Sequence, residues 1–470
     1  MSSGRSFRFP AGGADATLQM CEAALGSGRA RHVLDAPGIA FAIRDGTHLA
    51  YQVAGTGPPE IVFVGGSMAT TLAWDDPVTA KGFRRLASFA RLTTYDQWGT
   101  GRSDRFNPSD APSLTDLVSD LAAVIDAAGV TDPVVFGTHN GGAVAALYAA
   151  TYPVRQLVLC NTWARLQVAD DFPIGFSDRV LDRLEERYRT EWGQGRIYNE
   201  FAPRYDDAPP GQVELASTSQ NQLLTIFRIN RTYDIRAMLP TLSVPTLVIH
   251  LAGNVNIPPD HGRFIAQAIP NARLVLLPGT DQVFLRNYAT PVIDEVERFV
   301  TGDLSPFTDR VRATILFTDI VDSTPRAASL GDEAWSALID EHNARVKRQV
   351  VAHGGRVLKS TGDGFLVAFA ESDAAAAVRC ARASMVAVAD LELQLRAGLH
   401  VGEVFPMGKD DVSGLAVHFA QRLCGRAEGD EVLVSAAVRE GCAEGNLDFA
   451  PRGEAQLKGI PGSWEVFEAR

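Results

Sequence analysis

Phe317-Thr318-Asp319-Ile320 and Lys359-Ser360-Thr361-Gly362-Asp363-Gly364-Phe365 decide how the last third of this 470-residue chain folds. Arg312 to Phe317 is a short apolar run of β type, and Asp319 closes it. Trp335, Leu338, Ile339, Val346 and Val350 then recur at helical spacing, and Gly354-Gly355 ends that helix. Arg356 to Ser360 and Phe365 to Phe369 flank Thr361-Gly362-Asp363-Gly364, the pattern of a β-hairpin. A second helix from Ala374 to Ala389 and a strand from Leu393 to His400 complete a β-α-β-β-α-β order, the ferredoxin-like arrangement. That order lays the aspartate of the hairpin turn beside the aspartate that ends the first strand. Carboxylates paired in this way suit divalent cations, which assist phosphoryl and nucleotidyl transfer.

Further along, Ala416, Ala420, Leu423 and Cys424 form an apolar stripe, which predicts a helix. His418 and Arg422 are then i and i+4 and share one face of it. Asp410-Asp411 precede the helix, and Glu454-Ala455-Gln456-Leu457-Lys458-Gly459 places a lysine in a glycine-flanked turn. A lone Asp at a strand end, or a lone Gly-Asp-Gly, is ordinary turn chemistry. The signal lies in the whole set, in order and on the right elements. The chain has only five lysines, and two of them, Lys359 and Lys458, belong to that set.

From Val311 to Arg470 these residues resemble the catalytic domain of class III nucleotide cyclases, which make cyclic AMP or cyclic GMP. The resemblance implies that Asp319 and Asp363 hold two Mg2+ or Mn2+ ions per active site. It implies that Lys359 and Asp411 read the purine edge, that Arg422 stabilises the α-phosphate in flight, and that Lys458 binds the β/γ-phosphates. His418 stands where the family usually has an asparagine that orients the ribose and transition state. A Lys/Asp pair suits adenine, because lysine donates to the ring N1 and aspartate accepts from the 6-amino group. ATP is therefore the expected substrate, with a guanylate cyclase or a catalytically decayed nucleotide-binding protein as alternatives. In the family, one domain supplies both metal aspartates and a second supplies the remaining groups. A chain with one such domain is thus expected to act as a homodimer.

Upstream, short buried-type strands alternate with helical stretches. Ala40 to Arg44 and Leu49 to Val53 flank an Asp45-Gly46 turn, a hairpin signal. Ile61 to Val64, Leu92 to Tyr95, Val134 to Phe136, Gln156 to Leu159, Thr246 to His250 and Arg273 to Leu277 read as strands of a mostly parallel sheet covered on both faces. Asp170 to Ala237 interrupts the alternation and reads as an inserted helical cap. Asp96-Gln97-Trp98-Gly99-Thr100-Gly101-Arg102-Ser103 and the strand-to-helix turn Gly137-Thr138-His139-Asn140-Gly141-Gly142 resemble the α/β-hydrolase family over about Gly38 to Val300. By that resemblance His139 occupies the nucleophile position, Asn254 the acid and Gln282 the base. Without an oxygen nucleophile and a base to activate it, triad acyl transfer has no route. The cleft is expected to be catalytically silent and to serve as a regulatory module, binding a small, largely apolar molecule or holding the dimer together. Rewired hydrolysis through His139, with Asp96 or Asp281, is the alternative.

The expected fold is thus α/β throughout. Residues 1–36 form a flexible tail with a short helix near Ala16 to Leu25. An α/β-hydrolase domain with a helical cap spans 37–301, a linker 302–310, and a ferredoxin-like α+β cyclase domain 311–470. A formal charge of −12 argues against non-specific nucleic-acid binding. Five scattered cysteines without a CxxC pair suggest neither a disulfide framework nor a zinc site. No apolar run approaches the ~18–20 residues that span a bilayer. The cytoplasm is the expected location.

Overall fold

The computed structural model describes residues 36–201, 210–307, 309–360, 362–406, 411–442 and 447–470. The expected tail before Ala36, with its helix, and residues 202–209 of the expected cap lie outside them. The described residues form two compact units, Ala36–Asp309 and Arg310–Arg470.

The first unit opens with the hairpin β1 (Ile39–Arg44) and β2 (Thr47–Ala54). Asp45 and Gly46 turn it with φ of 50° and 82°, the paired left-handed geometry that matches strand twist. Strands β3 (Glu60–Val64), β4 (Arg91–Tyr95), β5 (Pro133–Thr138) and β6 (Gln156–Cys160) follow, separated by α1 (Pro77–Ala87), α2 (Leu114–Ala127) and α3 (Gly141–Thr151). Four cap helices come next: α4 (Asp178–Glu191), α5 (Arg196–Phe201), α6 (Pro210–Ser217) and α7 (Gln220–Thr232). The chain then re-enters the sheet with β7 (Thr246–Leu251), α8 (Pro259–Ala268), β8 (Ala272–Leu277), α9 (Phe284–Asn287) and α10 (Ala289–Thr301). The strand order is β1-β2-β4-β3-β5-β6-β7-β8, parallel from β4 to β8. Alternation along β3 separates two cores. Val62 and Val64 pack with residues of α2 and α3, while Ile61 and Phe63 pack with residues of α1 and α10. Parallel strands buried on both faces explain the unbroken apolar runs in the sequence.

The stretch expected as a linker is fastened to this unit. Arg84 donates from Nε and Nη2 to the two carboxylate oxygens of Asp309, each at 2.8 Å. The Arg85 guanidinium lies 5.2 Å from the Phe307 ring centroid and pairs with buried Glu297, whose other oxygen accepts from Ser305 N at 3.2 Å.

The second unit runs β9 (Val311–Ile320), α11 (Ser323–Leu330), α12 (Asp332–Ala352), β10 (Arg356–Ser360), β11 (Gly364–Ala370), α13 (Ala374–Val388) and β12 (Leu395–Pro406). It continues with β13 (Val412–Ser413), α14 (Leu415–Cys424), β14 (Val432–Ser435), α15 (Ala436–Gly441), β15 (Phe449–Ala455) and β16 (Trp464–Ala469). The sheet order is β10-β11-β9-β12-β14-β16-β15, with β13 on β12. Both fold expectations hold. The single helix expected between Asp319 and the hairpin is two, α11 and α12, broken at Gly331, whose φ of 80° suits glycine.

Candidate active site

In the β9–β11 register Gly364 lies opposite Asp319, so Asp363 is one residue from the strand position that faces Asp319. On the other side of β9, Arg396 of β12 is the register partner of Asp319. Its guanidinium donates from Nε at 2.9 Å and from Nη2 to Oδ2 of that carboxylate. The Asp363 carboxylate accepts a hydrogen bond from the Ser323 hydroxyl at the start of α11. The turn before α11 brings Ser323 there by placing Asp322 at φ 53°, a left-handed conformation that Asp tolerates better than most residues. Sequence reasoning missed both partners. Arg396 is 77 residues from Asp319 and is revealed only by cross-strand register. Ser323 lies four residues behind Asp319, at the start of a helix the sequence reading did not expect.

Carboxylate oxygens suit Mg2+ or Mn2+. Among the described residues, no group of three or more His, Cys, Asp or Glu side chains gathers to hold a metal ion. Asp319 and Asp363 therefore fit such ions only if water and substrate phosphates complete the shell, which is the habit of Mg2+.

Of the other predicted groups, Lys359 is on the hairpin that carries Asp363, and the rest lie further along the same unit. Phe419 and Leu423 of α14 are buried with Leu457, Ile460 and Val466, which seats the helix against the Leu457–Ile460 turn. His418 and Arg422 are left exposed on the outer face. Arg422 Nε donates to the Lys458 carbonyl at 3.2 Å, so the helix and the turn bring these two residues together. Lys359 is exposed on β10, next to buried Leu358. Asp411 caps the start of β13, its carboxylate accepting from Val412 N at 2.8 Å; residues 407–410 lie outside the described residues. Among the described residues, no hydrogen bond or ion pair joins Asp319 or Asp363 to Lys359, Asp411, His418, Arg422 or Lys458. Lys359 stands on the same β10–β11 hairpin as Asp363, while Arg422 and Lys458 meet between α14 and the turn that follows β15.

In the first unit the turn expected to hold a nucleophile keeps the geometry of the hydrolase scaffold, with His139 at its tip. His139 has φ 54°, the strained turn of a nucleophile elbow. Glycines make that turn possible. A Cβ on Gly141 would fall 2.3 Å from the Gly65 carbonyl oxygen, and one on Gly142 would fall 2.1 Å from Thr162 Oγ1. The His139 ring hydrogen-bonds Asn140 Oδ1 at 2.8 Å and meets the Trp163 ring edge-on at 4.9 Å. Burial lowers its pKa, which favours the neutral imidazole. Asn254 Nδ2 donates to Gln282 Oε1 at 2.7 Å, and Gln282 Nε2 donates to the Asn161 carbonyl at 2.7 Å. The acid and base positions thus do converge, as neutral amides whose hydrogen bonds are spent on each other and on Asn161. Asp96 accepts from Thr71 and from Arg102 N, while Asp281 accepts from Thr280 and Asn287. Neither carboxylate hydrogen-bonds His139.

Residues 308–468 match the family described as adenylate and guanylate cyclase catalytic domain, and residues 61–295 match the alpha/beta hydrolase family. The chain is 30% identical over 243 residues to "Putative carbamate hydrolase RutD" of Azorhizobium caulinodans, a match covering 48% of this chain and 84% of that one. It is 28% identical over 185 residues to an adenylate cyclase of Streptomyces coelicolor, covering 39% of this chain and 48% of that protein. The structure of an esterase from Exiguobacterium antarcticum matches 56% of this chain and 99% of its own, with a TM-score of 0.50 and 19% identity. That last likeness is one of fold.

Proposed function

We propose, for a chain that belongs to the α/β-hydrolase family over residues 61–295 and carries an adenylate and guanylate cyclase catalytic domain over residues 308–468, that the second unit converts ATP to 3′,5′-cyclic AMP and pyrophosphate at a site shared by two copies. The observation that supports the reading is that Asp319 and Asp363 come together across β9 and β11, while Arg422 and Lys458 come together on α14 and its neighbouring turn. Asp319 and Asp363 lie at neighbouring strand positions. Arg422 and Lys458 meet on another element pair, and among the described residues nothing bonds them to the two aspartates.

In this reading one copy presents Asp319 and Asp363, and its partner presents Lys359, Asp411, His418, Arg422 and Lys458. Divalent cations, when bound, supply charge that acidifies the ribose 3′-hydroxyl and neutralises the phosphates. Arg396 and Ser323 hold the two carboxylates in place before substrate arrives. Lys359 and Asp411 fix the adenine edge by donor and acceptor. Arg422, on an exposed face and free to reach, neutralises the charge that grows at the α-phosphate, and Lys458 holds the leaving pyrophosphate. His418, one turn before Arg422, donates a hydrogen bond toward the ribose in place of asparagine.

The first unit is read as a regulator without hydrolytic chemistry, because its three triad positions hold a neutral imidazole and two bonded amides. It is placed in the cytoplasm with the rest of the chain. The test is purified protein with Mn2+ and ATP or GTP, following cyclic nucleotide by chromatography. Cyclic AMP in excess supports the reading. Cyclic GMP in excess makes it a guanylate cyclase, and nucleotide binding without turnover makes it a decayed cyclase.

A further inference from the structure

Beneath cap helix α7 lies a pocket whose polar lining keeps several donors and acceptors without partners. Asn230, 4% exposed, hydrogen-bonds nothing among the described residues, though it faces this space. Trp98 Nε1 is a buried donor with no acceptor. Asn140 spends its Oδ1 on His139 and Ser67, which leaves Nδ2 free. Gln97 donates from Nε2 to the Gly65 carbonyl at 2.6 Å, and its Oε1 accepts nothing. Apolar side chains, among them Phe106, Ile226 and Ile229, close the remaining walls, and no charged side chain lines the pocket.

Buried amides and indole N–H groups are costly to leave unmade. Four such groups facing one space indicate that something else completes them. The free space is about 10 Å3, enough for one water. A single water satisfies at most about four hydrogen bonds, and only with good geometry. An occupant larger than one water requires lining side chains such as Ile226 and Ile229 to move aside. Burying a charge here would be expensive, since nothing lining the pocket offers an opposite one.

We infer that this pocket binds a small uncharged molecule with an apolar body and a polar end that both accepts and donates hydrogen bonds, of the primary amide, lactam or alcohol kind, and that it discriminates against carboxylates. The inference rests on the first unit being a ligand-binding module. It narrows the expected ligand from largely apolar to uncharged and amide-like at one end. Trp98 and Asn140 supply donors, Gln97 an acceptor, and Asn230 both.

Isobutyramide and isobutyrate are near-isosteric and differ in charge, which makes them suitable probes. Ligand-observed NMR on full-length protein is expected to show isobutyramide binding at least about tenfold more tightly than isobutyrate. Asn230→Leu and Trp98→Phe are each expected to weaken it by about tenfold. Asn230→Leu should also raise the melting temperature of the ligand-free protein, because it removes an unsatisfied buried amide. Equal binding of both probes, no binding of either, or binding unchanged in both variants overturns the inference. A fall in melting temperature for Asn230→Leu does so too, since it marks a structural hydrogen bond. Amide binding that leaves the cyclase rate unmoved at saturation supports this site and instead defeats the reading of the unit as a sensor.

Discussion

At the scale of single residues, His139, Asn254 and Gln282 at the three expected triad positions bear on whether the first unit hydrolyses anything. Restoring a serine by His139→Ser is expected to yield no esterase activity on short-chain nitrophenyl esters. Gln282 cannot take a proton, and its amide is held between Asn254 and Asn161. Turnover above background in that single variant would mean that another group serves as base. In the second unit the purine-edge pair carries its own prediction. Lys359→Glu with Asp411→Cys inverts the donor–acceptor polarity, so ATP use should fall on the order of 10²-fold or more while relative GTP use rises. A double variant with unchanged preference for ATP would show that these side chains do not face the base.

At the scale of elements, the segment after α10 behaves unlike its sequence. Residues 302–310 are polar with Ser305-Pro306, and composition alone makes them a tether. The structure ties them down through pairings from α1, more than 200 positions away in sequence, as with Arg84 and Asp309. No local pattern encodes such a contact. Arg84→Ala should cost about 1 kcal/mol of first-unit stability, as a part-buried bidentate pair does. It should also make 303–309 a preferred site of limited proteolysis while leaving basal cyclic AMP formation intact. Equal protease resistance in variant and parent would show that the pairing does not hold the segment. By contrast the strands, the hairpin turn and α14 were legible, because each rests on local periodicity or turn chemistry. The convergence of Asn254 and Gln282, expected from resemblance, is seen in their hydrogen bond. What stayed hidden were cross-element partners: Arg396 on Asp319, Ser323 on Asp363, and Asn161 on Gln282.

For the whole molecule, acid should act on both units through buried histidines. Burial pushes the His400 imidazole down to about 4 and lowers that of His342. A histidine whose folded pKa lies below its unfolded value of about 6.5 destabilises the fold as pH drops through that window. The second unit should therefore lose about 2 kcal/mol from His400 between pH 7 and about pH 5. The first unit has an opposing group, since burial pushes Asp120 up to about 6 and favours the folded state as that carboxyl protonates. That group works against three buried histidines of the same unit, His139, His250 and His261, whose pKa burial also lowers. Thermal melts at the two pH values should show the second unit falling, and His400→Gln should flatten its slope. A second-unit melt that stays put between the two pH values would contradict this. The central claim is a cyclase site divided between two copies, and mixing inactive variants tests it most directly. Asp319→Ala and Arg422→Ala protomers are each expected to lose cyclic AMP formation by orders of magnitude. Mixed and allowed to exchange subunits, they should regain activity, because one of the two sites in a mixed dimer then carries neither change. Demonstrated subunit exchange with no recovery of activity would contradict the account.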